Sequence, residues 1–457
     1  MLKYLTENQN PLFWVIFHVL LGALSVLSPL FLIAWFYLVL LTSALGMLKR
    51  NETHFFRFTS LIVYVVSFEL LGRMSKAYPF IPWEMGKYLL FLMLTAGIMM
   101  KYRRGTIGWI LLALLLPATL IDESGQVWFK NVVFNLLGPV NVALAIVYFK
   151  NQTVNENELK SLLKLLALPA VSVLAFVIIR TPDFESVSFD LGANAQTAGG
   201  FGSNQVSTVL GLGAFLTYLF WRNKWQFSGR RWIDLILLIM FSIRGLLTFS
   251  RGGMMGGALG ILVLIFYEAA SSEYGWSSKR AIFNIIKVIP VIFVFFLVFK
   301  YANDVTGGNL ALRYQGETPG TAAGFKDKTL NVFFSNRVNV LIDDLELWGQ
   351  HPVLGVGVGA SMYMRDDTRR IAPHLELSRL VSEHGLLGGF YFIILCALAY
   401  KIFRRASLSR SESILFALFV LALFTTFHSA MRTYVSPLLI GLSLLTVVNQ
   451  YEEEPTS

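Results

Sequence analysis

Residues 371–389, IAPHLELSRLVSEHGLLGG, gather two histidines, two glutamates and an arginine just ahead of one of the most apolar runs in the chain. His374 is the residue there best suited to take a proton from a hydroxyl near neutral pH. Glu376, Arg379 and Glu383 fall at helical spacing on one face, where such a ladder also simply stabilises a helix. His384 stands before Gly385 and reads equally well as the last residue of a helix.

A second group is cationic. Arg244 and Arg251 lie in FSIRGLLTFSRGGMMGG, and a spacing of seven places both guanidiniums on one side of a helix. An arginine within hydrocarbon costs at least about 2.5 kcal/mol, so it faces the bundle interior, a partner or water. One reading has Arg251 reaching to the interface and Arg244 paired structurally. The other is a two-arginine track for a phosphate-bearing head group, whose geometry the guanidinium matches. On that reading the glycines after Arg251 let a bulky head group approach the backbone. Arg337 opens the sequence RVNVLIDDLELW, read as a helix. Asp343 and Asp344 raise the idea of a metal, but adjacent carboxylates point to different helix faces and no metal site is assigned.

The elements that must position these groups are membrane helices. Of the 457 residues, 55% are hydrophobic and 14% charged, against roughly 25% charged in a soluble domain. Runs near the ~20 apolar residues needed to cross a bilayer recur throughout, which excludes a β-barrel. The fold class is therefore all-α, a polytopic helical bundle. The spans are read at 11–27, 29–48, 58–74, 84–100, 105–121, 131–149, 162–179, 204–221, 232–249, 252–268, 281–299, 385–403, 413–428 and 436–448. The first is read as an uncleaved helix, because no small-residue cleavage site follows it. The single cysteine, Cys396, excludes an intrachain disulfide and a cysteine-rich metal site.

Short loops at 49–50, 101–104, 222–231, 279–280 and 401–410 are basic. The positive-inside rule makes that side, and both termini, cytoplasmic. The net charge of +10 is thereby accounted for without nucleic acid. A loop of roughly 84 residues, 301–384, then falls outside, far longer than ordinary connections and so a place for function. It divides the chain into a bundle at 1–300, the loop, and closing spans at 385–457. Its first half reads as irregular, its second as a helix ending in the glycine-rich turn HPVLGVGVG. A shorter external segment, 181–203, reads as a glycine-rich re-entry into the next span.

Four motifs in order carry a resemblance: GGFGSNQVSTVLGLG at 199–213, TFSRGGMMGG at 248–257, NRVNVLIDDLELWGQHPVLGVGVG at 336–359 and PHLELSRLVSEHGLLGG at 373–389. Together they resemble the O-antigen ligase and polymerase superfamily of bacterial envelope glycosyltransferases, over roughly the second half of the chain. The resemblance implies a GT-C-like arrangement at the periplasmic face of the inner membrane. It implies transfer of a glycan from an undecaprenyl-pyrophosphate carrier to an acceptor hydroxyl, without metal or other cofactor. The acceptor placed first is lipid A-core sugar, with a second repeat unit or a protein hydroxyl as alternatives, and a lipid-linked-sugar flippase as the reading from another class. Residue by residue, it implies Arg251 and Arg337 as pyrophosphate contacts and His374 as the base. Many relatives follow that histidine with asparagine, whereas Leu375 and Glu376 follow here, which makes Glu376 the candidate to orient His374. Arg244, Arg379 and Asn204 complete the candidate substrate contacts. The pattern leaves open whether Lys300, Arg313 or Arg432 joins them.

Overall fold

The computed structural model describes residues 10–48, 55–100, 102–183, 187–270, 278–335, 337–371 and 375–448. Twenty α-helices, one 3-10 helix (Pro117–Leu120) and one small sheet are assigned among them. Helices α1 (Pro11–Leu27) to α12 (Ser278–Val305) include α2 (Leu30–Leu48), α3 (Phe55–Val66), α4 (Glu69–Met74), α5 (Met85–Met99), α6 (Thr106–Leu115), α7 (Phe129–Phe149), α8 (Glu156–Arg180), α9 (Ser203–Arg222), α10 (Arg231–Leu247) and α11 (Arg251–Ala270). Three short helices follow, α13 (Asn309–Tyr314), α14 (Pro319–Ala322) and α15 (Leu330–Phe333). The chain closes with α16 (Arg337–Gln350), α17 (Ser361–Met364), α18 (Glu376–Ala406), α19 (Arg410–His428) and α20 (Val435–Leu442). Among the described residues six helices are long and apolar enough to cross a membrane: Leu30–Met47, Phe55–Met74, Phe129–Phe149, Glu156–Arg180, Glu376–Ala406 and Arg410–His428. Four more are apolar but shorter. Large apolar side chains such as Met99, Leu120 and Phe129 lie on the surface, as a bilayer-facing bundle requires.

Local sequence explains where these helices start and stop. Asn155 and Glu158 form a reciprocal capping box that opens α8, with both bonds at 2.9 Å. The segment read as a last span, 436–448, is not one helix. Its helix stops at Leu442, and the β-branched run Thr446–Val448 (β2) pairs in parallel with Thr153–Asn155 (β1), the backbone that such residues favour. Helix α12 runs on to Val305, past the expected end at Phe299, because a helix leaving a membrane need not stop at its surface.

Packing centres on α9, which lies against α10 and α11, while α11 also contacts α19. The crossing of α9 and α11 is backbone against backbone. A Cβ on Gly253 would stand 2.2 Å from the Ser207 carbonyl carbon, and one on Gly257 2.4 Å from the Gly211 oxygen. Small residues at four-residue spacing permit that approach in an apolar medium.

The expected helix and glycine turn of the long loop are both present. Helix α16 is followed by a turn in which Gly355, Gly357 and Gly359 have positive φ. That turn docks on a break in α18 at Gly385 (φ 61°, ψ −141°), where the sequence reading starts its span. Val356 N–H donates to Ser382 O (2.9 Å), Gly357 N–H to Glu383 O (3.1 Å) and Leu386 N–H to Pro352 O (2.8 Å). The PVLGVGVG and SEHG motifs are thus the two halves of one contact.

Candidate functional site

Three arginines meet at one end of the bundle: Arg251 at the start of α11, Arg313 in α13 and Arg337 at the start of α16. Arg251 Nη1 donates to the Arg313 carbonyl (3.2 Å), and its Nη2 to the carbonyl of Phe333. The Arg251 guanidinium also lies 5.0 Å from the Phe333 ring centre, a cation–π distance. Ser335 Oγ accepts from Arg251 Nη2 at 3.5 Å and from Arg313 Nη2 at 3.3 Å. Arg337 Nη2 donates to the carbonyl of His428, at 3.2 Å. Arg313 is buried, Arg251 and Arg337 half-buried, and Ser335 exposed.

Among the described residues no carboxylate compensates these cations. The charges that act on Arg313 are Arg251 and Arg337, with Tyr314. Burial first, and then those two cations, pull the Arg313 guanidinium down to about 10; Arg337 is lowered by burial and by Arg251. Like charges held together in a partly desolvated place raise the free energy of the empty site. An anion with several oxygens relieves that, and phosphate groups match guanidinium geometry. The protein's own partners for the three are mostly carbonyls and one hydroxyl, which cancel no charge.

The surrounding loops hold strained backbone. Phe249, Ser335 and Ala430 all have positive φ without being glycine, and each lies within two residues of a cluster arginine or of His428. Phe249 tolerates the conformation because its ring is buried and stacked 5.6 Å from Phe189. Residues in that region cost of order 1–3 kcal/mol and concentrate at functional sites.

One turn, 428–434, joins this cluster to two further ionic groups. His428 offers its carbonyl to Arg337, Met431 N–H donates to Glu376 Oε2 (3.0 Å), and Tyr434 N–H donates to Glu69 Oε2 (2.8 Å). Met431 is three positions after His428, so their Cα atoms are at most about 11 Å apart. Glu376 binds Arg379 with its other oxygen, and Arg379 Nη1 reaches Glu383 at 3.0 Å. Glu69 pairs with Arg73, which also donates to Gln205 Oε1 (2.9 Å) and approaches Glu84 (3.4 Å), itself 3.3 Å from Lys87. Arg432 lies in the field of both groups, near Glu376 and Glu84. A narrow cleft between them is lined by Lys87, Asn135, Glu376, Arg379 and Arg432, among others.

A protein-family model matches no part of this chain. Nor does any curated protein.

The residues singled out by sequence fall into three groups. Arg251 and Arg337 are brought together. Arg244 is not with them: α10 ends at Leu247 and α11 starts at Arg251, so the two arginines sit on different helices, and the seven-residue spacing does not place them on one face. The positively twisted Phe249 reverses the chain between them, and Arg244 lies instead near Tyr301 of α12. Arg379 is buried between Glu376 and Glu383, so the helical ladder is realised and its charge is internally matched. Asn204 Oδ1 accepts from Ser250 Oγ (2.8 Å), and Ser207 Oγ donates to the same hydroxyl (2.9 Å). Asn204 therefore braces the turn that presents Arg251. The glycines after Arg251 do not face a head group. Gly252 is covered by the His428 ring, 2.4 Å from where its Cβ would stand, and Gly253 by α9.

Asp343 and Asp344 do diverge. Asp343 accepts from the Thr368 N–H and hydroxyl at 2.9 and 2.6 Å. Asp344 holds Arg365 at 2.8 Å together with Ser378 and Ser382, and burial pushes its carboxyl up against the pull of that cation. His384 is buried in α18. His374 lies outside the described residues, as do Lys49, Arg50, Lys101 and both termini. Arg313, the sequence pattern's open question, belongs to the cluster. Glu69 and Arg73 were overlooked, although two charges four apart within an expected span are the usual mark of a working polar group in a membrane.

Proposed function

We propose that this chain is a glycosyltransferase of O-antigen ligase type, working at the periplasmic face of a bacterial inner membrane. It moves a glycan from undecaprenyl pyrophosphate to an acceptor hydroxyl, with lipid A-core sugar first among acceptors. The bundle is GT-C-like, 301–384 is its periplasmic loop, and both termini are cytoplasmic. The observation that carries this reading is the uncompensated cluster of Arg251, Arg313 and Arg337 at one end of an apolar bundle. The four motifs of the sequence support it, since two of them supply Arg251 and Arg337.

The chemistry divides between two groups. The acceptor oxygen forms a bond to the anomeric carbon as that carbon's bond to the pyrophosphate oxygen breaks, with inversion. The acceptor's proton goes to His374, which Glu376 helps to orient. The electron pair leaves with the pyrophosphate, whose growing charge the three guanidiniums meet. Fixed cations in a water-poor site are worth most at that stage. A polyprenyl pyrophosphate carries its phosphates at the membrane surface, so a cluster at the end of apolar helices is where they arrive.

The test uses purified full-length protein, an undecaprenyl-pyrophosphate-linked oligosaccharide and a panel of acceptors, in EDTA. Transfer that survives EDTA and collapses in Arg251→Ala and His374→Ala supports the reading, and the productive acceptor names the subgroup. No transfer to any acceptor, with carrier movement across proteoliposomes that ignores His374, overturns it in favour of a transporter.

A further inference from the structure

A wide cavity lies at the other end of the bundle. It is an open groove of about 540 Å³ between α5, α6 and α7, lined by Phe91, Thr95, Trp109, Leu112 and Val140, with Arg103 at its mouth. Its end is fixed by α5, which starts beside Glu84 and Arg432 and finishes next to Arg103. Fifteen residues of helix separate the two, about 22 Å. The basic loops gather here. Arg104 donates to the Asn151 carbonyl (3.2 Å), and Lys150 lies in the field of Lys401.

Three features make the groove more than an apolar gap. Arg103 is exposed and makes no ion pair or hydrogen bond with any described residue. Trp109, half-exposed, stands near the start of α6 at the level where amphipathic rings mark a membrane interface. Thr95 carries a buried hydroxyl with no partner among the described residues. Ser25, Ser60, Thr217 and Thr425 return theirs to the carbonyl four residues earlier, while Ser43 and Ser172 share the unpaired state of Thr95. A hydroxyl buried unpaired in an apolar wall is costly unless something polar comes to it.

The depths agree with one ligand. Thr95 lies one turn inside the end of α5, about 6 Å from Met99, and Phe91 about 12 Å. The hydrocarbon of one leaflet is about 15 Å deep. We propose that this groove binds a phospholipid of the leaflet on the basic side, with an anionic head group. Its phosphate sits at Arg103, its glycerol ester at Thr95, and one acyl chain lies along Phe91, Leu112 and Val140. Charge selects the occupant: a head group with net negative charge answers the Arg103 cation, and a zwitterion does not. This site is independent of the arginine cluster and of the transferase reading.

The experiment uses delipidated full-length protein with phosphatidylglycerol or phosphatidylcholine carrying the same brominated chains, which quench nearby tryptophan. The Trp109 signal is taken as the difference from Trp109→Phe. Phosphatidylglycerol is expected to quench at about fivefold lower lipid fraction than phosphatidylcholine, the effect of one basic residue at the surface. Arg103→Gln should equalise the two lipids, and Val140→Phe, which fills the groove, should abolish quenching by both while the variants keep wild-type melting temperatures. If Val140→Phe does not fold, the exposed Arg103→Gln decides alone. Equal quenching by the two lipids in wild type, or a preference that survives Arg103→Gln, overturns the proposal.

Discussion

Arg313→Met is the substitution that best separates an anion site from a structural arginine. The Nη2 atoms of Arg251 and Arg313 both reach Ser335 Oγ, so they stand no more than about 7 Å apart. At an effective dielectric constant of 20, two unit charges at that distance repel by about 2 kcal/mol. Methionine removes this repulsion and keeps most of the apolar stem. It also loses a hydrogen bond to Ser335 (3.3 Å) and a long one to Phe249 O (3.5 Å), about 1 kcal/mol each. The two effects nearly cancel, so the stability of the empty protein should stay within about 1 kcal/mol of wild type. Binding behaves differently. A charge-assisted hydrogen bond to phosphate is worth about 1.5–3 kcal/mol, so affinity for the lipid pyrophosphate should fall by roughly ten- to a hundredfold. Arg365→Met is the control, because Arg365 is buried against Asp344 with both side chains fully enclosed. Breaking such a pair leaves a buried charge and costs about 3–5 kcal/mol. Thermal unfolding in detergent, beside donor binding and transfer rate, reads both effects. An Arg313→Met protein as destabilised as Arg365→Met, with unchanged donor affinity, would refute the reasoning.

The remaining predictions concern the supports of the site. Gly252→Ala drives a methyl into the His428 ring, 2.4 Å away, and shifts the carbonyl that holds Arg337; transfer should drop at least about tenfold. Gly256→Ala, one turn on, meets only Phe424 at 3.3 Å and should transfer almost normally, so equal losses in the two would dismiss the mechanism. Gly385→Ala combines a glycine-only conformation with a Cβ 2.5 Å from the Val353 carbonyl; a loss of about 3 kcal/mol is expected in thermal unfolding, and a wild-type melting temperature would contradict the docked-turn account. The pH profile should split. A histidine base must be neutral to work, so the transfer rate should fall as the solution is made acidic. Donor binding should stay flat from pH 5.5 to 8, because even Arg313, pulled down to about 10, remains charged there. Binding that declines in parallel with rate would undo that division of labour.

Much of the bundle was legible in the sequence because its signals are local. Apolar runs give helices, and the glycines of HPVLGVGVG give a turn after α16. Each depends on residues a few positions apart. The break at Gly385 was legible for the same reason, and so was the divergence of Asp343 from Asp344 on one helix. Where the local rule failed, a competing one was present: the β-branched run Thr446–Val448 turned an expected span into a strand.

Which charges meet was decided only by the tertiary structure. Spacing paired Arg251 with Arg244, seven residues away, but the chain reversal at Phe249 separates them. The partners of Arg251 came instead from Arg313, Phe333 and Ser335, 62 to 84 residues on. Arg379 was open to two readings, ladder member or substrate contact, until the packed helix showed Glu376 and Glu383 enclosing it. The turn 428–434, which has no motif of its own, touches three ionic groups through backbone atoms, and a backbone carbonyl or N–H leaves no mark in the residue types. The sequence by itself determined that this is a mostly helical chain with long apolar helices and arginines at the ends of some. Helical periodicity and hydropathy are properties of neighbours along the chain. An uncompensated charge is a property of neighbours in space, and only the packed bundle decides it.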